Sequence, residues 1–462
     1  MTKAETFFNS LKGKKVAFIG IGVSHEKLIP MFCDLGAKVT LCDKKPSIDA
    51  FGKYADMLTE KKVSLKLGED YLKDIDADII FRTPGMYYNH PALKEYKDKN
   101  ITITSEMETF FDLCPCKIFA VTGSDGKTTT TTLISEFLKK SGATVHLGGN
   151  IGKALLPDVL KMKKTDIAVV ELSSFQLISM KKSPDTAVIT NISPNHLDVH
   201  KDMEEYVGCK KNLLLYQTPN SLSVLNYDNG ETAALSSLVN GKMLWFSRRS
   251  TVPFGTYLND ENILCYTDGK TTTELFSADD IKIPGVHNIE NYLAAIAATY
   301  DFIKDKSVFR KTAKTFSGVE HRIEFVREKD GVKFYNDSIA SSPTRTIAGL
   351  NSFNRKVILL AGGYDKNIPY DELGPKINEK VKLLILSGPT SDKIEAAVMK
   401  DANPEKPKIL RSEDMETSVR LAMENAEKGD IVTLSPASAS FDKYRNFEER
   451  GNIYKEIVRN LK

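Results

Sequence analysis

Between Ile118 and Lys140 a short apolar run, Ile118-Phe119-Ala120-Val121, breaks into Gly123-Ser124-Asp125-Gly126-Lys127-Thr128 and then into a helical pattern. A buried strand that passes through glycines into a helix lets backbone N–H groups face phosphate oxygens, and the helix N-terminus favours negative charge. In that arrangement Lys127 reaches the β- and γ-phosphates of a nucleotide and Thr128 meets Mg2+, with Thr129 behind it in the first helical turn. The loop is two residues shorter than the general phosphate-binding pattern, because Val121 stands where that pattern has its first glycine. A glycine turn that merely caps a helix is the alternative. Either way, this stretch commits the centre of the chain to an α/β sheet with its ligands at the carboxyl ends of the strands.

The same alternation extends in both directions. Val16-Ala17-Phe18-Ile19 enters the turn Gly20-Ile21-Gly22, followed by a helical pattern from Glu26 to Leu35 and a strand from Lys38 to Cys42. Asp78-Ile79-Ile80-Phe81 and Ile101-Thr102-Ile103-Thr104 are further strands of a small parallel sheet that ends near Leu113. Beyond the glycine loop, strands Ile167-Ala168-Val169-Val170 and Thr186-Ala187-Val188-Ile189 run into Glu171 and into Thr190-Asn191. Turn-punctuated strand candidates occupy Leu222 to Lys282, and a helix covers Asn291 to Ile303. After Ser317-Gly318 come the buried strands Val357–Leu360, Leu383–Leu386 and Ile431–Leu434, separated by helical patterns. The expectation is an α/β chain of three domains, 1–113, 114–317 and 318–462.

Composition narrows the function. With 64 basic and 61 acidic residues, a net charge of +3 and no long basic block, the chain lacks the charge that neutralises a nucleic-acid backbone. The six cysteines are scattered, and Cys114-Pro115-Cys116 has no second pair to complete a zinc site, so reduced thiols in a cytoplasmic protein are expected. No stretch approaches the roughly 20 apolar residues of a membrane span. His25 stands where a dinucleotide fingerprint has its third glycine, which disfavours NAD and leaves the Gly20 turn free to seat another diphosphate.

A short Gly-x-x-Gly-Lys-Thr loop followed in order by Gly149-Asn150-Ile151-Gly152, Glu171-Leu172-Ser173-Ser174-Phe175-Gln176-Leu177, Asn191 through Asp198, His321-Arg322-Ile323-Glu324 and Ser435 through Phe447 resembles the Mur ligases and the related folylpolyglutamate synthases. The resemblance covers nearly the whole chain. It implies a Rossmann-like N-terminal domain for a UDP-sugar, a central P-loop ATPase-like domain and a Rossmann-like C-terminal domain for the incoming amino acid. It also implies a monomeric enzyme that makes an acyl phosphate from ATP. The Ser-Ser-Phe-Gln-Leu run is similar to that of members that add D-glutamate to UDP-N-acetylmuramoyl-L-alanine in peptidoglycan precursor synthesis.

By the same resemblance, Gly123 to Thr129, Asn288 (with Asn291 nearby), Arg322 and Asp337 contact ATP. Thr128, Glu171, His196 and Lys210 hold two Mg2+ ions, Lys210 as a carbamate formed with CO2. Lys127, Glu171, His196 and Lys210 form the catalytic set. Val23, Ser24, Asp43, Lys44, Thr83, Pro84, Gly85, Asn150 and Gln176 contact the UDP-linked substrate, and His321, Lys366, Ser440, Phe441 and Phe447 the amino acid. Carbamylation suits a buried lysine, whose lowered pKa leaves neutral amine to attack CO2. Lys211, next in sequence, is the competing position, and a solvated Lys-Lys face the plainer alternative.

One departure from the family stands out. Members commonly carry Lys-Ala-Thr after Asp-Ser, whereas this chain has Ile339-Ala340-Ser341, so that lysine's contact is absent or supplied elsewhere. A Mur-type or folylpolyglutamate-type ligase with another amino-acid substrate is the nearest rival reading. A non-catalytic nucleotide-binding regulator on the same fold is the rival from a different class.

Overall fold

A computed structural model describes residues 1–194 and 199–461. The chain divides into two compact units, Met1–Phe276 with Glu290–Phe309, and Ser277–Ile289 with Arg310–Lys462.

The first unit holds two sheets. Strands β1 (Lys15–Ile19), β2 (Lys38–Asp43), β3 (Ser64–Leu67), β4 (Ile79–Arg82) and β5 (Thr102–Thr104) lie in the order β3-β2-β1-β4-β5. All its pairs are parallel. This is the doubly wound order, and its direction reverses between β1 and β4, where ligands bind in such sheets. The second sheet comprises β6 (Lys117–Thr122), β7 (Val145–Gly149), β8 (Ile167–Glu171), β9 (Thr186–Ile189), β10 (Leu222–Asn226), β11 (Lys242–Ser247), β12 (Gly255–Leu258), β13 (Ile263–Thr267) and β14 (Thr272–Ser277). It has the order β14-β13-β12-β11-β10-β9-β6-β8-β7. Strands β8 and β9 are buried throughout and β6 is buried after Lys117, as befits parallel strands covered on both faces. β6 lies between β8 and β9, so the loops that follow these three strands emerge side by side.

The second unit carries β15 (Glu324–Lys329), β16 (Val332–Asn336), β17 (Val357–Ala361), β18 (Val381–Leu386), β19 (Lys408–Arg411) and β20 (Ile431–Leu434), in the order β15-β16-β20-β17-β18-β19. Only the β15–β16 pair is antiparallel.

The α/β class expected from sequence is therefore observed, with local differences. The helix expected at Glu26–Leu35 spans Leu28–Asp34, and the one expected from Asn291 begins at His287. Edge strand β3 was not anticipated; Ser64-Leu65-Lys66-Leu67 is only partly covered and lacks the continuous apolar run of the inner strands. Among the described residues, no helix is long and apolar enough to cross a membrane.

Candidate active site

The loop after β6 is shaped by its neighbours. A Cβ at Gly123 would lie 1.8 Å from Thr190 Oγ1, so a side chain there is excluded while the Thr190 loop keeps its place. Ser124 N donates to Asn191 O at 2.8 Å, and Asp125 N donates to Asn191 Oδ1 at 2.9 Å. Ser124 Oγ donates to Ser193 O and lies 2.9 Å from Tyr206 Oη. Lys127 Nζ donates to Gly123 O and Ser124 O at 3.0 and 2.9 Å, which sets its ammonium against the loop it opens from. Thr128 and Thr129 follow in the first turn of the helix Lys127–Lys140.

Lys210 comes from the helix Met203–Leu215, N-capped by Asp202. Its side chain is buried, with Nζ donating to Gly123 O at 3.0 Å and reaching Thr122 Oγ1 at 3.4 Å. Burial, aided by the charge of Lys127, pushes its pKa down to about 7. Neutral amine is thus abundant near neutral pH, as carbamate formation requires. Lys211 is partly exposed, so of the two lysines it is Lys210 that meets the glycine loop.

Glu171, the last residue of β8, is buried. Its Oε1 accepts from Asn150 Nδ2 at 2.7 Å, and its Oε2 has no hydrogen-bond partner among the described residues. A buried carboxylate oxygen left over in this way suits a cation. His196 lies outside the described residues. Among those described, no three His, Cys, Asp or Glu side chains cluster as a metal site, so Glu171 is the acidic ligand candidate here.

A cavity of about 410 Å³ lies within the first unit, walled by Ile21, Gly22, Val23 and Ser24 after β1, Thr83 and Pro84 after β4, Glu106, Gly149 through Gly152, Ala154 and Gln176. Of the residues expected to contact a UDP-sugar, it gathers Val23, Ser24, Thr83, Pro84, Asn150 and Gln176. Asp43, Lys44 and Gly85 are not in its wall; Asp43 ends β2, beside β1, and its carboxylate accepts from Lys45 N. Gln176 Oε1 accepts from Ser173 N in a capping box, which leaves its amide nitrogen for the cavity. Beneath the Gly20 turn, His25 is buried and neutral: burial holds its pKa near about 4, and Nδ1 donates to Gly20 O at 2.8 Å. The imidazole where a dinucleotide fingerprint has glycine is thus a strut for the turn.

In the second unit, Asp337 follows β16. Its carboxylate accepts from Ile323 N and from Ser435 Oγ, and burial pushes its pKa up to about 7. His321 and Ile323 take positive φ values of 61° and 43°, strained for any side chain and frequent where a loop is held for function. His321 Nδ1 accepts from Asn336 Nδ2 at 2.9 Å, its ring meets Phe447 edge-on, and burial lowers its pKa. Arg322 is exposed and Asn288 donates to Pro284 O. Lys366 Nζ lies 5.7 Å from the ring centroid of Phe441, itself packed on Tyr364, and Ser440 is buried next to it. The expected amino-acid residues thus fall into two groups, His321 with Phe447 and Lys366 with Ser440 and Phe441. At Ile339, where the family has lysine, Arg345 Nη1 donates to the backbone oxygen at 3.2 Å.

Four participants escaped the sequence reading. Glu106 lines the cavity and accepts from Leu155 N and Leu156 N, with burial raising its pKa to about 7. Arg82 and His200 are buried beside the Ser173–Leu177 run. Arg450 donates to Ser338 Oγ, Ser338 O, Ser438 O and Ala439 O, tying the loops after β16 and β20 together. A charge that ends the apolar run Ile79-Ile80-Phe81 was the one visible signal, at Arg82.

Residues 121–299 match the Mur ligase middle domain and residues 321–438 the Mur ligase, glutamate ligase domain. A UDP-N-acetylmuramoylalanine--D-glutamate ligase of Acetivibrio thermocellus is 54% identical to this chain, covering 100% of it and 99% of that protein. Proteins of the same name from Clostridium kluyveri and Clostridium novyi are 50% and 48% identical, over 99% and 98% of this chain and equal shares of their own. Among solved structures, the UDP-N-acetylmuramate-alanine ligase of Thermotoga maritima shares the fold with a TM-score of 0.58 at 16% identity, covering 97% of this chain and 100% of that one. The UDP-N-acetylmuramoylalanyl-D-glutamyl-2,6-diaminopimelate--D-alanyl-D-alanyl ligase of Acinetobacter baumannii does so with a TM-score of 0.55 at 12% identity, covering 100% and 98%.

Proposed function

The chain belongs to the Mur ligase family, and from that premise we propose that it joins D-glutamate to UDP-N-acetylmuramoyl-L-alanine, as a cytoplasmic monomer, in the synthesis of peptidoglycan precursors. It is an ATP-dependent ligase that forms a peptide bond. The observation that carries the reading is Asn150, which lines the 410 Å³ cavity and also donates to Glu171, the partner of Val121 on the strand that runs into the glycine loop. One side chain thereby joins a sugar-nucleotide-sized cleft to the place where phosphoryl transfer would occur.

In this reading residues 1–113 seat the UDP-sugar, 114–317 bind ATP and 318–462 bind the amino acid. The substrate carboxylate attacks the γ-phosphorus of ATP and ADP leaves; the amine of D-glutamate then attacks the acyl phosphate and phosphate departs. Two anions must meet in the first step, so positioning and charge neutralisation supply most of the catalysis. Lys127 and the backbone N–H groups of Gly123 to Thr128 hold the phosphates. By the family resemblance Asn288, Arg322 and Asp337 also contact ATP. Thr128, Glu171, His196 and a carbamate on Lys210 would hold two Mg2+ ions, which add positive charge at the phosphates when bound. The orphaned Oε2 of Glu171 and the lowered pKa of Lys210 fit that role. Val23, Ser24, Thr83, Pro84 and Gln176, with Asp43, Lys44 and Gly85 nearby, contact the UDP-linked substrate. His321, Lys366, Ser440, Phe441 and Phe447 serve the amino acid, whose two carboxylates call for cations and hydroxyl donors.

The test is phosphate release by the purified protein with ATP, Mg2+, UDP-N-acetylmuramoyl-L-alanine and one amino acid at a time. D-glutamate should stimulate release and yield a product heavier by one glutamyl residue. Equal stimulation by L-alanine or a diamino acid would overturn the choice of substrate.

A further inference from the structure

Arg82 ends β4, immediately before the Thr83-Pro84 wall of the cavity, and is only 1% exposed. Removing a guanidinium from water is costly unless its donors find acceptors, so where they go indicates what the residue is for. Nη1 donates to Met86 O and Phe175 O, each at 3.3 Å; Nη2 donates to Phe175 O at 3.3 Å and Ser179 Oγ at 2.6 Å. Glu108 Oε2 is 3.9 Å away. Three of these four hydrogen bonds therefore leave the five-stranded sheet and grip the segment around Gln176, which also lines the cavity.

A second route joins the same two walls. Tyr87, five residues beyond Arg82, donates to Glu205. Glu205 lies 3.4 Å from His200 Nδ1. His200 Nε2 is 2.8 Å from Ser174 Oγ, and its ring stacks on Phe175 at 5.1 Å with the planes 3° apart. Phe175 is thus held through its carbonyl by Arg82 and through its ring by His200. Two buried polar side chains from distant parts of the chain converge on one residue, next to Gln176.

We propose that Arg82 is a positioning residue that fixes the separation of the cavity walls Thr83-Pro84 and Gln176, and so sets affinity for the UDP-linked substrate, with His200 as the second hold on the same segment. The proposal rests on the reading that this cavity seats that substrate. A bidentate, planar donor suits the task because it fixes direction as well as distance, which an ammonium does not.

The experiment compares the full-length wild type with Arg82→Met, Arg82→Lys and Ser179→Ala, varying each of the three substrates in turn, alongside calorimetric binding of UDP-N-acetylmuramoyl-L-alanine alone and melting curves. Arg82→Met should raise KM and Kd for the UDP-linked substrate about tenfold or more, while KM for ATP and for D-glutamate changes less than about twofold. Arg82→Lys should recover part of the loss, and Ser179→Ala should cost about threefold in the same parameter. If Arg82→Met does not fold, Ser179→Ala alone decides, because it deletes one hydroxyl. A folded variant whose UDP-substrate parameters are unchanged, or whose three KM values rise together, would overturn the proposal. Failure of the wild type to bind UDP-N-acetylmuramoyl-L-alanine would instead remove the assignment of the cavity itself, and the proposal with it.

Discussion

Two residues carry charges that their surroundings resist. Lys210 is enclosed by Gly123 O, Thr122 Oγ1 and the ring of Tyr206, with Lys127 raising the cost of a second cation. Lys210→Ala should lower kcat by about 100-fold or more, and millimolar formate or acetate should return part of it by standing in for a carbamate. The expected rate is that of phosphate release with all substrates saturating, and full activity without added carboxylate would refute the carbamate. Glu106 is the mirror case. Its pKa rises from 4.5 to about 7, so the folded state keeps a proton that the unfolded chain has released; stability falls as pH climbs between those values and is flat above. At about 1.4 kcal/mol per unit, the loss is on the order of 3 kcal/mol. Glu106→Gln keeps an acceptor for Leu155 N and Leu156 N without ionising. Its melting temperature should therefore exceed that of the wild type at pH 8 by more than at pH 5. The contacts of Glu106 and Arg82 do not follow from sequence, because their partners are far along the chain, 49 residues away for Glu106 and 93 for Arg82. The places of Lys127 at the start of a helix and Glu171 at the end of a strand were legible because both are local.

Elements were legible in proportion to their burial. The inner strands β6, β8, β9, β17, β18 and β20 are short apolar runs between turn residues, and the structure has strands at each. Edge strand β3 and the first turns of helices carry weaker signals, since half-exposed backbone leaves little pattern. Interlocking of elements was not legible. The helix Phe447–Arg459 does more than cover a sheet, because Arg450 in its first turn binds three carbonyls and one hydroxyl of the loops after β16 and β20. Arg450→Met would leave Ser338 O and Ser438 O without donors, at about 1–3 kcal/mol each where water does not reach, while Ala439 O keeps Tyr364 N. A net loss of roughly 3 kcal/mol is expected in urea denaturation, together with a raised KM for D-glutamate.

At the scale of the molecule, a chain of two compact units has two cores and need not unfold in a single step. The sole tryptophan, Trp245, is buried in β11 of the first unit, so its fluorescence reports on that unit alone, whereas circular dichroism reports on both. Arg450→Met should shift the dichroism-detected transition of the second unit to lower temperature and leave the tryptophan transition in place. Coincident shifts of both signals would mean that the units unfold together. The α/β class was legible because the glycine loop, Gly149-Asn150, Glu171, Asn191 and Ser435 each lie at or just after the end of a strand, where parallel sheets put their ligands, whereas His321 to Glu324 leads into β15. The nine-stranded extent of the central sheet was not legible, because which strands pair with which is not encoded in local pattern.

The cavity has walls of unequal mutability. A Cβ at Gly149 would come within 2.3 Å of Glu171 O, and one at Gly148 within 2.5 Å of Lys153 O, so neither position accepts a side chain without rebuilding the backbone. Val23, in contrast, is 58% exposed at the rim and is free to vary. An inhibitor that takes its affinity from the Gly149-Asn150 floor would face a surface that drift can scarcely alter. One that leans on Val23 would be escaped by a single codon change.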